Sequence, residues 1–187
     1  MRLRGDRYKL IEKEVIKMFS KLKIKSFPLD CFDICDQLGF LLVPYSKLSE
    51  KKRKALKIGS QDGCHALWEV AKGVFVFVIY YNDTMPDRRI RFTIMHEIGH
   101  IILDHTEHSD LAESEANFFA KYALAPPPLV AKLNIQDYLE LSEKFDISKE
   151  CALYAMERFQ KWLKFGSSVL LDHETTLIML FQPVLTV

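Results

Sequence analysis

Arg91–His105, RFTIMHEIGHIILDH, decides how the rest of the chain is read. Ile94, Met95, Ile98, Ile101, Ile102 and Leu103 leave almost no polar side to a helix formed here. A helix that apolar is buried. Within it His96, Glu97 and His100 form H-E-x-x-H. Four residues turn an α-helix by about 400°, so His96 and His100 lie within roughly 40° of each other, one turn apart. Two imidazoles in that arrangement can ligate one metal ion. Glu97, beside His96, is near enough to act as general base on water. Two surface histidines on an ordinary helix are the bland alternative, and the apolar surroundings argue against it. By average residue usage, H-E-x-x-H arises by chance in about 1 in 200 chains of this length.

A catalytic zinc usually takes three protein ligands. On a continuing helix His105 points about 140° away from His100, which disfavours it. Asp104 shares the face of His96 and His100, but three ligands along two turns span about 12 Å, too far for one ion. Asp104 therefore reads as a supporting or surface residue. The next helix offers Glu113 and Glu115, two apart and so on different sides. One can face the metal and the other solvent or a basic partner. Glu115 adjoins the packing stripe Ala116, Phe119, Ala120 and Ala123, so it is the better candidate for the buried side. A carboxylate on that buried side is costly unless a cation accompanies it.

Outward from the motif the pattern is mixed α and β. Tyr8, Ile11, Val15, Phe19 and Leu22 predict an amphipathic helix. After Pro28 a second helix is expected, capped by Asp30 and ended by Gly39, with Phe32, Cys35 and Leu38 inward. Residues 40–45 suit an edge strand because of Pro44. Residues 65–70 and 74–81 flank Lys72-Gly73 and predict a hairpin, whose second strand could offer an edge to an extended peptide. Helices follow over 88–104, 111–124, 135–145 and 149–165, with Ser148 as cap and Gly166 as terminator of the last. The tail, 168–187, is rich in Leu, Thr and Val and reads as strand-prone, with no place in the sheet that the pattern fixes.

The 187 residues are 49% hydrophobic and 27% charged, ordinary for a globular protein. Lys and Arg number 26 against 25 Asp and Glu, a net charge of +1 that argues against a protein devoted to nucleic acid. Residues 47–57 carry six positive residues and one negative, a local net of +5, read as a solvated face. Four cysteines make no disulfide framework and suit a reducing compartment. The charged N-terminus is unlike a signal peptide, and no apolar run is long enough to cross a membrane. We expect one cytoplasmic α+β domain over residues 1–187, a small β-sheet packed on helices in a zincin-like arrangement. Residues 88–128 form its core motif region and 167–187 a tail of uncertain structure. Cys31 and Cys35 read as buried small hydrophobes, Cys64-His65 as too little for a site, His173 as exposed, and Trp68 and Trp162 as packing residues.

RFTIMHEIGHIILDH, followed by EANFFAKYALAP, resembles the ImmA/IrrE family of zinc-dependent metallo-endopeptidases. The family stretch runs like R-F-T-x-A-H-E-L-G-H and then E-A-N-x-F-A-A-x-L-L-M-P. Arg91, Phe92, Thr93, His96, Glu97, Gly99 and His100 match, then Glu115, Ala116, Asn117, Phe119, Ala120 and Pro126. Met95 stands where the family usually has alanine, and Leu124-Ala125 where it has Leu-Met. The resemblance implies His96, His100 and Glu115 as ligands of one zinc per chain, with Glu97 as catalytic base. It also implies a bacterial, cytoplasmic protease, often of mobile elements, whose substrate is a helix-turn-helix transcriptional repressor on a separate chain.

The expected function is thus a zinc endopeptidase cutting such a repressor, with no direct nucleic-acid contact and no membrane. The rival is a non-catalytic metal-binding anti-repressor that binds a regulator without cleaving it. Tyr122, His105 and Arg89 are the candidates for stabilising an oxyanion.

Overall fold

In a computed structural model, residues 3–165 and 169–181 are described. Helix α1 (Gly5–Leu22) buries Ile11, Val15, Phe19 and Leu22, the stripe its periodicity predicts. Helix α2 (Cys31–Leu38) is capped by Asp30, whose side chain accepts from the N–H groups of Phe32 and Asp33. It ends at Gly39, whose φ of 74° is the left-handed region glycine adopts without strain. Its inward face is Cys31, Ile34 and Cys35, whereas Phe32 is half exposed, edge-on to Tyr81. Of the expected stripe, Cys35 is buried and Leu38 packs against the core, whereas Phe32 turns outward and Cys31 and Ile34 complete the inner face.

Strand β1 (Leu41–Pro44) leads through a turn at Tyr45–Lys47 into α3 (Glu50–Gly59), capped by Ser49. The basic run, Lys47 apart, thus lies on a helix with no buried residue. Strands β2 (Gly63–Ala71) and β3 (Val74–Tyr81) form the expected hairpin, turning at Gly73 with φ 76°. The sheet order is β1-β3-β2, with β1 parallel and β2 antiparallel to β3. β3 is therefore paired on both sides and offers no edge. The free edge beside the hairpin belongs to β2.

Alternation along β3 divides the core. Ile79 faces the main cluster with Ile11, Phe19, Ile94, Met95, Ile98 and Phe119. Val78 and Tyr80 face the other way, joining Tyr45 in a smaller cluster that Leu56 of α3 packs against.

Helices α4 (Asp87–Ile102) and α5 (Asp110–Leu124) follow. They pack closely: a Cβ on Gly99 would stand 3.1 Å from the Phe119 ring. α5 ends before the prolines, as expected, but Pro127 and Pro128 open a further helix, α6 (Pro127–Lys132). Proline suits the first turn because the N–H it lacks has no helical partner there. Then come α7 (Tyr138–Phe145) and α8 (Lys149–Phe165), where Ser148 Oγ accepts from the Cys151 N–H. The tail contains a helix, α9 (Asp172–Leu180), which buries Leu177, His173 and Glu174. Packing overrides the strand propensity expected there. Gly166 lies outside the described residues. No described helix is long and apolar enough to cross a membrane.

Candidate active site

α4 is held at its N-terminal half by arginines. Arg88 Nε donates to Asp146 at 2.8 Å, Arg91 donates to Asp146 and, at 2.7 Å, to the Leu29 carbonyl, and Arg89 pairs with Asp62. Asp146 terminates α7, so two anchors fix α4 against that helix. The fixed helix then aims its histidines at α5.

His96 and His100 meet through their Nε2 atoms, 3.0 Å apart. Glu113 completes the group: its Oε2 lies 3.4 Å from His96 Nε2 and its Oε1 3.4 Å from His100 Nε2. Among the described residues these three form the His, Cys, Asp and Glu cluster able to hold a metal ion. Tetrahedral bonds of about 2.0–2.1 Å place ligand atoms roughly 3.3–3.4 Å apart, so the donor set fits one ion with little movement. Burial lowers the His96 pKa against the opposing pull of Glu97 and Glu113. Burial and the surrounding histidines push His100 down to about 3. Both rings are thus held neutral, the form with a lone pair to give.

Glu115, the expected third ligand, is placed elsewhere. It is 2% exposed, but its carboxylate lies on Arg7 of α1 and on His105 rather than on His96 and His100. Burial raises its pKa, and the bonds from Arg7 and His105 outweigh that, so the net direction is down. The buried acid does have a cation, but the cation is a guanidinium. Glu113 and Glu115 face opposite sides of α5, and the side toward α4 is that of Glu113.

Glu97 is buried, and Nδ1 of His65 donates to its Oε2 at 2.6 Å. His65, too little for a site by its sequence neighbours alone, is thus the partner of Glu97. Its signal is register: His65 pairs with Ile79, which faces α4, so the hairpin brings His65 to the same side. Asp104 is exposed, as expected of a surface residue. Of the oxyanion candidates, Tyr122 is buried against Phe118, inside the helical core. Arg89 borders a hollow shared with His96, Glu97, Glu113 and Asn117. A groove of about 830 Å³ runs along β2 from Gly63 to Leu67, between Ala55 and Leu56 of α3 and the cluster on α4 and α5.

Residues 72–157, which include β3, α4 and α5, match the family profile Peptidase_M78, the IrrE N-terminal-like domain. Over that stretch, just under half of the chain, the sequence is similar to this ImmA/IrrE family of metallopeptidases. Similarity to a metallopeptidase family suggests a bound metal, and among the described residues the cluster at His96, His100 and Glu113 could hold one. A comparison with curated proteins finds no match.

Proposed function

We propose that the chain is a zinc-dependent endopeptidase with His96, His100 and Glu113 as its metal ligands and Glu97 as its base. The observation that carries this reading is the convergence of two imidazole nitrogens and a carboxylate, within 3.4 Å, beside a buried glutamate and an open groove. Two histidines and one glutamate, with a fourth position open to the groove, are a donor set suited to catalytic zinc. Bound there, zinc supplies Lewis acidity toward a peptide carbonyl and acidifies water.

The remaining work falls to the chain. Glu97 takes a proton from the attacking water and returns it to the leaving amine. His65 holds the Glu97 carboxylate in place by its hydrogen bond. An extended substrate segment lies along the free edge of β2, pairing through its backbone. Arg89, paired with Asp62, lines the hollow beside His96 and is the candidate here for meeting the developing oxyanion. A groove that takes an extended segment favours cleavage in a loop or linker of the substrate. By family resemblance that substrate is a helix-turn-helix repressor. The architecture 1–187 functions in this reading as one peptidase domain, and the site lies in a cytoplasmic protein.

Incubation of the zinc-loaded chain with a peptide library, read by mass spectrometry, tests the activity. Glu97→Gln should keep its zinc and lose about 10²–10⁴-fold in cleavage rate. Cleavage by Glu97→Gln at the native rate would contradict the assignment of the base. Immobilised Glu97→Gln should retain an intact repressor that the native chain cuts. A repressor bound but never cut by the native chain would favour the anti-repressor reading.

A further inference from the structure

The side of His100 turned away from the cluster carries a chain of contacts that proteolysis does not use. Its Nε2 faces His96 and Glu113, so its Nδ1 points the other way, 3.0 Å from Nδ1 of His105. Nε2 of His105 lies 2.9 Å from Oε2 of Glu115. Arg7 grips that carboxylate with both arms, Nη2 donating to Oε2 at 2.6 Å and Nε to Oε1. His105 reaches this position because α4 stops short of it. Asp104 turns left-handed at φ 55°, and the His105 N–H donates to the His100 carbonyl at 3.0 Å. The reversal folds the His105 ring back against His100, where a continuing helix would carry it away.

Hydrogen-bond direction along this chain is fixed from its far end. Arg7 is a permanent cation with donors only. It keeps Glu115 a carboxylate, which can only accept. His105 must therefore carry its hydrogen on Nε2, and a neutral ring then has a bare Nδ1. That atom accepts, so His100 carries its hydrogen on Nδ1. His100 is left with its lone pair on Nε2, the atom that faces the metal cluster. A metal-bound histidine commonly donates its other N–H to such a partner, which fixes both tautomer and ring orientation.

We propose that Arg7, Glu115 and His105 form a positioning relay that holds His100 in its metal-binding tautomer and thereby sets the metal affinity of the site. The relay rests on the reading of His96, His100 and Glu113 as ligands. None of its three members touches substrate or metal. The anchor comes from α1, so the N-terminal helix controls a site built by α4 and α5.

Two measurements test it. Long-range ¹H–¹⁵N spectra of the metal-free chain should show His100 protonated on Nδ1 and His105 on Nε2. In His105→Phe the His100 preference should disappear. Zinc affinity by chelator competition should fall about 10–100-fold in His105→Phe and about 10-fold in Glu115→Gln. Glu115→Gln preserves shape, so it keeps the test available if His105→Phe fails to fold. The double variant should bind about as weakly as the worse single one, because both cut one chain. Native-like zinc affinity in both single variants, within about twofold where 10–100-fold is expected, would overturn the relay. If His100→Ala still abolished binding in that case, the ligand reading would stand alone. Absence of zinc binding by the native chain would overturn both.

Discussion

Two of the clusters in which histidine meets carboxylate are wired oppositely. Between α1, α8 and α9, each acid finds a donor within the chain. Glu12 accepts from Arg158 at 2.6 Å and has His173 at 3.4 Å. Glu174 accepts from the Trp162 indole at 2.6 Å and from the Leu171 N–H at 2.9 Å. In the cleft, two imidazole nitrogens and the Glu113 carboxylate point at one another. Among the described residues, the ion-pair partners of Glu113 are histidines alone. A cluster closed by its own arginine is structural polar packing. A cluster of converging acceptors without such a cation could hold one from outside. Glu115, held by Arg7, follows the first pattern; Glu113 follows the second.

The comparison breaks most visibly at Glu113. Glu113→Ala should weaken zinc binding on the order of 10²–10³-fold, the share of one ligand in a site worth about 10–16 kcal/mol. Its thermal stability without metal should stay near native, since that side chain is 45% exposed. Chelator competition and a melting curve read both. Arg158→Met should do the reverse. It leaves Glu12 buried without its main donor, costing about 2–3 kcal/mol, or about 4–12 °C in Tm, with zinc affinity unchanged. Loss of zinc in Arg158→Met would mean that the two clusters are coupled.

A smaller effect is expected at Gly63, where a Cβ would stand 2.5 Å from Thr93 Cγ2 and 2.7 Å from the Tyr80 carbonyl oxygen. Gly63→Ala should push β2 from α4 and cost about 1–2 kcal/mol. It should move His65 off Glu97, so cleavage should fall while zinc stays bound. The smallest effect is at Asp146. Burial raises its pKa, but Arg88 and Arg91 overcome this and hold it below the usual aspartate value of 3.8. A depressed carboxylate stabilises the fold above its unfolded pKa, and the contribution fades as pH falls through the folded value. The gap in Tm between the native chain and Asp146→Asn should therefore be full at neutral pH and close in acid below 3.8.

What was legible in the sequence was local. Periodicity located α1 and α4, Lys72-Gly73 located the hairpin, and H-E-x-x-H located the two histidines of the candidate cluster and the buried glutamate beside them. Resemblance supplied the family. The rest depended on contacts distant in sequence. A buried Glu115 does need a cation, as argued from its position. The cation is Arg7, 108 residues away, and nothing near Glu115 announces it. His105 was read on a continuing helix, and one left-handed residue at Asp104 reversed it. His173, expected to be exposed, is buried on Glu12 because α9 docks on α1. The edge assigned to β3 went to β2 because β1, far earlier in the chain, pairs in parallel with β3.

The most direct test sets the two carboxylates of α5 side by side. Zinc affinity is measured by chelator competition for the native chain, Glu113→Ala and Glu115→Gln. The account predicts one zinc per native chain, a loss on the order of 10²–10³-fold in Glu113→Ala, and a loss of only about 10-fold in Glu115→Gln. The opposite order, with Glu113→Ala binding zinc like the native chain and Glu115→Gln failing to bind it, would contradict the account and return the third ligand to Glu115.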